Sequence, residues 1–326
     1  MILVTGGAGF IGSNLVAAYA ADGHPVCISD TVEKPAKLRN IDKHDVDTIV
    51  RPDQLEAFLE RRGEEIELVL HMGAISSTTV TDLELLTATN VVLSQRIWLW
   101  CSEHGVPLVY ASSGATYGDG SEGFVDDQTD EALAVLRPLN PYGRSKHDFD
   151  RWAVAEDAAG RTPPAWYGLK LFNVYGPNEY HKGHMQSLVA KSYPKAVAGA
   201  RIPLFRSDHP DYPDGGQKRD FVYVDDAVSV VRWMVDHRPP SGLYNVGTGR
   251  AQSWLELVTA LYAAVGNPLE VEWIDVPEAI RPHYQYYTQA DLTKLRAAGY
   301  TKPFRSVEEG VTEYVTRYLV ADDPHL

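Results

Sequence analysis

The stretch Met1-Ile2-Leu3-Val4-Thr5-Gly6-Gly7-Ala8-Gly9-Phe10-Ile11-Gly12 decides the fold of this 326-residue chain. Its first five residues are uncharged and largely apolar or β-branched, a pattern typical of a buried parallel strand. Glycines then recur at three-residue spacing, and apolar periodicity predicts a helix over residues 13–19. A strand, a glycine-rich turn and a helix in this order predict a dinucleotide-binding unit. In such a unit Gly6 allows the tight turn, Gly9 lets the backbone approach a pyrophosphate, and Gly12 allows the helix to pack closely on the strand.

The composition excludes several classes of protein. With 44% hydrophobic and 23% charged residues, the chain is typical of a globular protein. A formal charge of −14 predicts an acidic surface, which disfavours a nucleic-acid partner because phosphates are repelled. No run of apolar residues is long enough for a membrane-spanning helix, so no membrane partner is expected. The chain begins in a structural strand rather than a signal peptide, and Cys27 and Cys101 lie in apolar segments, so we expect free thiols and a cytoplasmic protein.

Strand and helix patterns alternate through the first half of the chain, which favours an α/β fold with a doubly wound parallel sheet of the Rossmann type. Strands are predicted over residues 1–5, 25–30, 68–71, 108–113, 166–171, 219–224 and 243–246 and near 204, and helices over 54–62, 83–103, 141–158, 186–198, 226–236, 254–265 and 307–320. Residues 119–139 are acidic and aperiodic, and we interpret them as a surface loop.

Two interleaved lobes fit this order of elements better than two sequential domains. The dinucleotide-binding domain is predicted to comprise residues 1–171 and 218–249. Residues 172–217 and 250–326 are predicted to form a smaller, C-terminal substrate-binding lobe, with part of the last helix returning to the first domain.

A second decisive feature is the pair Tyr142 and Lys146, which lie four residues apart and therefore share one face of a predicted helix. A neighbouring ammonium favours the phenolate, so Lys146 is expected to lower the pKa of Tyr142 and make it a usable base. The spacing alone is common and is usually inert. Here it occurs together with the glycine-rich turn and with Ser113 at the end of a predicted strand.

These three elements together resemble the extended short-chain dehydrogenase/reductase family, whose members oxidise or epimerise nucleotide sugars with NAD or NADP. The resemblance implies that Ser113, Tyr142 and Lys146 form the triad for hydride transfer. Residues 172–177 resemble a segment found throughout that family.

Further segments resemble a narrower family, the 6-epimerases that invert C-6 of an ADP-linked manno-heptose. They are residues 75–79, 181–185, 218–223, 288–292 and 295–300. The resemblance implies oxidation to a transient C-6 carbonyl and reduction on its opposite face, with Tyr142 and Lys182 as the two bases. A lysine serves as such a base only if burial or a nearby cation lowers its pKa. The resemblance also implies a nucleotide-sugar substrate and a homo-oligomer, with a pentamer as the expected form.

Motifs and resemblance together predict two sets of binding residues. Cofactor binding is expected at Gly6, Gly9, Phe10, Ile11, Gly12, Asp30, Thr31, Lys37, Arg51, Gly73, Ala74, Ile75, Asn90, Tyr142, Lys146, Val174 and Lys182. Substrate binding is expected at Ser76, Ser113, Asn173, His184, Lys191, Phe205, Arg219 and Tyr284. Arg219 is expected to pair with the pyrophosphate of the sugar nucleotide, because its planar fork matches two oxygens. No metal site is expected, since no acid or cysteine near His181 and His184 completes a zinc set.

The residues and the resemblance disagree on the cofactor. A carboxylate at Asp30 accepts from a ribose 2′-hydroxyl and repels a 2′-phosphate, which favours NAD. The resembled epimerases keep an aspartate at this place and use NADP, with basic residues from the following loop. Lys37 holds the matching place, with Arg39 and Arg51 as further cations. We expect NADP, with NAD as the alternative.

Two other functions stay open at this point. The first is another enzyme of the same superfamily, such as a UDP-hexose 4-epimerase. A 4,6-dehydratase is disfavoured, because Gly114-Ala115 follows the serine strand where an Asp-Glu pair is expected. The second is a non-catalytic NAD(P)-binding sensor, which has no need of Ser113, Tyr142 and Lys146.

Overall fold

The computed structural model describes residues 1–33, 35–278, 280–281 and 284–326. Its strands are β1 (Ile2–Thr5), β2 (Val26–Ser29), β3 (Thr48–Val50), β4 (Leu68–His71), β5 (Leu108–Ser113), β6 (Trp166–Leu171), β7 (Asn173–Tyr175), β8 (Ile202–Phe205), β9 (Lys218–Tyr223), β10 (Gly242–Val246), β11 (Ala251–Ser253) and β12 (Val271–Ile274). Its α-helices are α1 (Phe10–Ala21), α2 (Pro35–Leu38), α3 (Leu55–Arg62), α4 (Leu83–Leu86), α5 (Leu93–His104), α6 (Asp130–Val135), α7 (Pro141–Ala158), α8 (Leu188–Val197), α9 (Val224–His237), α10 (Trp254–Val265), α11 (Thr293–Ala297) and α12 (Val307–Tyr314). Short 3₁₀ turns occupy Pro52–Gln54, Gly63–Glu65, Gly114–Tyr117 and Tyr180–Met185, and π-helical turns occupy Thr87–Val92 and Val315–Leu319.

A sheet of seven parallel strands lies at the centre of the molecule, in the order β10-β6-β5-β4-β1-β2-β3. The order 3-2-1-4-5-6 within it is the doubly wound arrangement that binds dinucleotides. Every residue of β1, β2, β4 and β6 is buried, as expected for strands covered by helices on both faces. The predicted α/β fold is confirmed.

A smaller lobe with its own hydrophobic core lies beside this sheet. It contains the sheets β11-β9-β7 and β12-β8. Its core joins residues of α8, α10 and α12, among them Val189, Leu261 and Tyr314. Strand β9 lies between the two cores, because Val222 packs in the core of the large sheet while its neighbours on the strand pack in the smaller one. Where the domain boundary runs stays a prediction.

Several short elements were not predicted from the sequence. The interpretation of residues 119–139 as a loop is wrong in part, since they contain α6. This helix is set by its N-terminus, where the Thr129 hydroxyl accepts from the backbone N–H of Ala132 at 3.3 Å. Six residues are too few to show a helical period. Strands β3, β7, β11 and β12 were also missed; they are three or four residues long.

Two further observations concern the chain as a whole. Cys27 and Cys101 are both free and buried. Within the described ranges, no helix has the length and apolar character that crossing a membrane requires.

Candidate active site

A cavity of about 1250 Å³ opens where the parallel strands end and extends to the smaller lobe. Open α/β sheets bind ligands at this edge. Its volume exceeds the roughly 300–1000 Å³ of an ordinary small-molecule site, so it has room for two ligands. The predicted site residues that line it are Gly6, Gly9, Phe10, Ile11, Gly12, Asp30, Thr31, Lys37, Gly73, Ala74, Ile75, Ser76, Ser113, Tyr142, Lys146, Asn173, Val174, Lys182, Lys191, Phe205 and Tyr284. Arg51, Asn90, His184 and Arg219 are not part of the lining.

The glycine-rich turn before α1 forms one end of the cavity. Gly6 has a φ of +65°, which favours glycine, and a side chain there would meet the backbone of Gly73 at 2.6 Å. A Cβ at Gly12 would lie 2.1 Å from the carbonyl oxygen of Gly6, so helix and turn pack as closely as predicted. No side chain caps the first turn of α1, and that turn holds no acidic residue. Its free N–H groups and the helix dipole therefore form an anion site that fits a pyrophosphate.

Asp30 follows β2 and is already engaged by its neighbours. Its Oδ2 accepts from the backbone N–H of Ala8 at 3.0 Å, and its Oδ1 accepts from that of Thr31 at 2.6 Å. Lys37 forms an ion pair with the same carboxylate. The charge of Asp30 is thus balanced by a cation at the cavity wall. Arg51 lies outside the lining and pairs instead with Glu33 at 3.4 Å and with Asp53 at 3.1 Å.

Asn90 lies in the π-helical turn between α4 and α5 and is fully buried. Its Oδ1 accepts from the backbone N–H of Ile75 at 2.8 Å, and its Nδ2 donates to the carbonyl of Ile75 at 3.0 Å. The same nitrogen donates to Ser145 Oγ on α7 at 3.0 Å. Asn90 therefore holds the loop of residues 73–76 against the helix that carries Tyr142. Such π-helical turns occur frequently at functional sites.

Ser113, Tyr142 and Lys146 meet at the centre of the cavity. Helix α7 begins at Pro141, and the Asn140 side chain caps it by accepting from the N–H of Gly143 at 2.8 Å. Lys146 Nζ donates to the carbonyl of Ala111 on β5 at 2.8 Å. Burial lowers the pKa of Lys146 to about 8.

One expectation about this group is wrong. Lys146 was expected to lower the pKa of Tyr142, but that pKa is raised, chiefly because burial disfavours the phenolate. A hydrogen bond from the Ser113 hydroxyl acts in the opposite direction. The serine rather than the lysine opposes the effect of burial on the pKa of the phenol. The sequence pattern gives the shared helix face but not the solvent exclusion around it.

Lys182 lies in the 3₁₀ turn Tyr180–Met185 and faces the glycine-rich end of the cavity, its Nζ 5.0 Å from the centroid of the Phe10 ring. Burial lowers the pKa of Lys182, Lys191 lowers it further, and Glu179 opposes both. The pKa of Lys182 is therefore shifted in the direction that a lysine base requires. Glu179 also fixes this turn relative to α8, since it accepts from the Ser187 hydroxyl at 2.7 Å.

Arg219 lies on β9, behind the cavity wall. Its guanidinium lies between two rings that line the cavity, 5.8 Å from the centroid of Trp254 and 5.6 Å from that of Tyr284. Burial lowers the pKa of Arg219 to about 10. In the part of the chain that the structure describes, this arginine makes no ion pair. It is thus a buried cation available to an anion.

His184 is a predicted substrate contact that lies outside the cavity lining. Its side chain is exposed, and its carbonyl oxygen accepts from Lys191 Nζ at 3.4 Å. Across the described ranges, no cluster of three or more His, Cys, Asp or Glu side chains is arranged to hold a metal ion.

Several residues that line the cavity were not singled out from the sequence, among them His181, Lys195 and Trp254. The Nδ1 of His181 lies 3.0 Å from the Nδ2 of Asn40. Burial, together with Lys37 and Lys182, lowers its pKa to about 4. The position next to Lys182 was the one available signal, because the contact with Asn40 spans 141 residues.

The fold and the site agree with the comparison to known proteins. A model described as the NAD dependent epimerase/dehydratase family matches residues 2–247, and the chain belongs to this family. The family name and the cavity agree on an enzyme with a nicotinamide cofactor.

Among individual proteins, the chain is 45% identical to the ADP-L-glycero-D-manno-heptose-6-epimerase of Nitratidesulfovibrio vulgaris (strain Hildenborough), over 100% of both chains. A crystal structure of the enzyme of that name from Helicobacter pylori matches 96% of this chain and 94% of its own, with a TM-score of 0.76 and 28% identity. The structure of Thermus thermophilus UDP-glucose 4-epimerase in complex with NAD matches 96% of this chain and 97% of its own, with a TM-score of 0.75 and 27% identity. The predicted resemblance is confirmed.

Proposed function

We propose that this protein is a two-base epimerase that inverts C-6 of an ADP-linked manno-heptose. One observation carries the proposal. Two groups suited to proton transfer, Tyr142 from the large domain and Lys182 from the smaller lobe, line one cavity. The names of the relatives at up to 45% identity support the same substrate.

Tyr142 and Lys182 are proposed to act in different steps of the epimerisation. The glycine-rich turn, Asp30 and Lys37 would hold a nicotinamide cofactor, which would supply hydride transfer from and to C-6. As the phenolate, Tyr142 would accept the proton of the C-6 hydroxyl in one orientation, and the Ser113 hydroxyl would favour that phenolate by donating a hydrogen bond to it. The sugar then rotates by about a half-turn within the cavity. Lys182 exchanges a proton with the C-6 oxygen in the second orientation of the sugar. The lowered pKa of Lys182 matters because it makes this exchange easier.

We propose NADP as the cofactor. The glycine-rich turn fits a pyrophosphate, since a Cβ at Gly12 would fill the space in which turn and helix meet. The ion pair of Lys37 with Asp30 balances the carboxylate that would otherwise repel a 2′-phosphate. An epimerase must return the hydride that it took, so we expect the cofactor to stay bound through purification.

The cofactor proposal is tested by denaturing the purified protein and identifying the nucleotide that it releases. NADP or NADPH is the expected result. Release of NAD alone, or an empty site that added NADP does not fill, would overturn this part of the proposal.

The substrate is proposed to occupy the side of the cavity that faces the smaller lobe. Residues proposed to contact it are Ser76, Ser113, Asn173, His184, Lys191, Phe205, Arg219 and Tyr284. Arg219 supports a diphosphate there, because a buried guanidinium gains most from a bidentate anion. The two neighbouring aromatic rings fix the orientation of its planar guanidinium group.

The two-base proposal predicts that Tyr142 and Lys182 each act on one orientation of the C-6 oxygen. A one-base 4-epimerase has no such separation, because one base acts on both orientations. Lys182→Met should block epimerisation yet still reduce a substrate analogue that carries an aldehyde at C-6, because one orientation of the oxygen still meets Tyr142. Tyr142→Phe should be biased to the opposite face. The facial ratio is measured with deuterium-labelled cofactor. Identical mixtures from both variants, or normal epimerisation by Lys182→Met, would contradict the mechanism.

A double variant tests whether His184 contributes. Because a histidine relays protons near neutral pH, residual epimerisation in Lys182→Met would be assigned to it if the further change His184→Ser abolished that activity. No change on adding His184→Ser would limit the role of His184 to substrate contact.

Two broader expectations belong to the same proposal. We propose a homo-oligomer, a pentamer by resemblance, and a monomer at micromolar concentration in sedimentation would count against it. We also propose a cytoplasmic location, in keeping with the buried free thiols of Cys27 and Cys101. The predicted division into a domain of residues 1–171 plus 218–249 and a lobe of residues 172–217 plus 250–326 is tested by limited proteolysis.

A further inference from the structure

A buried ion pair lies directly behind the Ser113–Tyr142–Lys146 group. Asp150 is on α7, one helical turn after Lys146, and Lys170 is on β6. The Asp150 Oδ2 and the Lys170 Nζ are 3.0 Å apart, and both side chains are 0% exposed. Neither residue lines the cavity. A pair in this position is connected to the site only through other residues.

Hydrogen bonds tie the pair to the strand that carries Ser113. Asp150 accepts from the Ser112 hydroxyl at 2.6 Å and from the Tyr110 hydroxyl at 3.1 Å, both on β5. Lys170 donates to the Thr116 hydroxyl at 2.7 Å. That hydroxyl in turn donates to the carbonyl of Ser113 at 2.8 Å. One short path of hydrogen bonds therefore joins α7, β5 and β6 at the catalytic end of the sheet.

The stability of the fold does not explain why the two charges are here. Two ions removed from water are costly, and well-packed apolar residues in their place often leave a protein equally or more stable. The register partners of Lys170 on the neighbouring strands, Ser112 and Asn245, are buried and polar but uncharged. A charge pair in such a place needs a role that apolar residues cannot fill.

The field of Asp150 reaches two of the groups that are proposed to be catalytic. The carboxylate of Asp150 raises the pKa of Lys146 and the pKa of Tyr142, although burial is the larger cause of the shift in each. Other titratable groups that face the pair or Lys146 are His147 on α7, Tyr110 on β5, Tyr117 on the following turn and His71 on β4. All four favour the neutral form near neutral pH, since burial lowers the pKa of the histidines and raises that of the tyrosines.

We propose that Asp150 and Lys170 are positioning residues whose two charges hold the serine strand against the catalytic helix and set the pH range in which the triad works. The inference rests on the proposed function, in that Ser113, Tyr142 and Lys146 carry the reaction. Neither residue of the pair touches substrate or cofactor. Their action on the chemistry passes through Lys146 and Tyr142.

The two charges predict opposite effects when they are removed singly. Asp150→Asn keeps the shape of the side chain but leaves the Lys170 ammonium without a counter-charge, so Lys146 and Tyr142 both lose protons more easily. The pH profile of kcat should move to lower pH by about one unit, a tenfold change in proton affinity. Lys170→Met leaves the carboxylate alone and should move the profile to higher pH. The double variant Asp150→Asn with Lys170→Met should return most of the way to the wild-type profile.

A matched control separates this tuning from a general loss of stability. Asp226 on α9 is also buried and forms an ion pair with Arg305 at 2.5 Å. Asp226→Asn removes a buried carboxylate from a pair whose arginine is 29% exposed, and its pH profile should stay in place. Should Asp150→Asn fail to fold, Lys170→Met compared with the double variant carries the test, and the single variant must lie at higher pH.

A substrate-free measurement keeps the inference distinguishable from the proposed function. The pKa of Lys146 is read by NMR titration of protein labelled with 15N-lysine, and its resonance is identified by its loss in Lys146→Met. The shifts should follow the same signs, down in Asp150→Asn and up in Lys170→Met. Shifts in one common direction, or none in folded variants, would overturn the inference. A lack of activity on ADP-heptose with the NMR shifts intact would instead contradict the proposed function alone.

Discussion

Replacing Asn90 with alanine tests whether the loop of residues 73–76 owes its position to one buried amide. The Asn90 side chain makes two hydrogen bonds to the backbone of Ile75 and one to Ser145, between 2.8 and 3.0 Å. Asn90→Ala removes all three and leaves the N–H and carbonyl of Ile75 without these partners. The loop borders the glycine-rich turn, since a Cβ at Gly6 would lie 2.6 Å from Gly73. A displaced loop should therefore disturb the cofactor site.

The expected magnitudes follow from these contacts. At about 1 kcal/mol for each hydrogen bond, the free energy of unfolding should fall by about 3 kcal/mol. The entropy of unfolding for a chain of this length is about 0.7 kcal/mol/K, so Tm should fall by about 4 °C. Ordering one loop residue again on binding costs about 1–2 kcal/mol. The Kd for NADP should rise by about tenfold.

Calorimetry for Tm and titration calorimetry for Kd check the two effects separately. Asn267→Ala is the matched control, because Asn267 donates to the carbonyls of Ala196 and Val197 at 2.8 and 3.2 Å at the end of α8. It should lower Tm with little change in Kd. If Asn90→Ala lowers Tm but binds NADP as the wild type does, the loop does not depend on Asn90 for cofactor binding. If both variants lose affinity equally, the effect is a general one.

Three more outcomes are expected. Tyr142→Phe should lose at least about a hundredfold in turnover while its Kd for NADP is unchanged, and near-normal turnover would show that the triad is assigned wrongly. Lys37→Ala should weaken NADP by about tenfold or more while NAD binds as well or better, because Asp30 is freed; an equal loss for both cofactors would contradict a 2′-phosphate site. His71 is held neutral by burial, with its pKa lowered to about 3, so below pH 6.5 the unfolded chain binds a proton that the native state does not. Stability should therefore fall with pH from 6.5 towards 3, by up to about 1.4 kcal/mol per unit, and denaturant titrations of His71→Gln should lack this slope.

Local signals in the sequence sufficed for much of the fold. The glycine-rich turn, the acid after β2 and the bounds of α7 at Pro141 and Ala158 each depend on a few neighbouring residues. Backbone geometry repeats every two residues in a strand and every 3.6 residues in a helix. Apolar residues recur at the same spacing in the sequence, so strands and helices of ordinary length can be recognised from it. Length alone does not explain the missed elements, since β1, β2 and β4 have four residues each, as β12 does; those three contain no acidic residue, whereas β12 contains Glu272 and α6 begins with two acidic residues.

Only those features of the candidate site that follow from residue types and their spacing were predicted from the sequence. Tyr142 and Lys146 were placed on one helix face and do line one cavity. Arg51 was expected at the cofactor, but it pairs with Glu33 and Asp53 outside the cavity lining. Whether a basic loop residue turns towards the cavity or towards nearby acids depends on the path of the loop, which no local pattern states.

By itself the sequence determined the α/β order, the glycine-rich turn and the shared helix face of Tyr142 and Lys146, because covalent spacing and side-chain type are enough for each. Only the tertiary structure decided that Lys182 lies over Phe10, that His181 meets Asn40 and that Asp150 pairs with Lys170 inside the sheet. It also decided the direction of the pKa of Tyr142, opposite to the one expected from its neighbour on the helix. The physical reason is that burial and electrostatic fields are sums over everything packed around a group. Residues far apart in the chain contribute to these sums as much as near ones do.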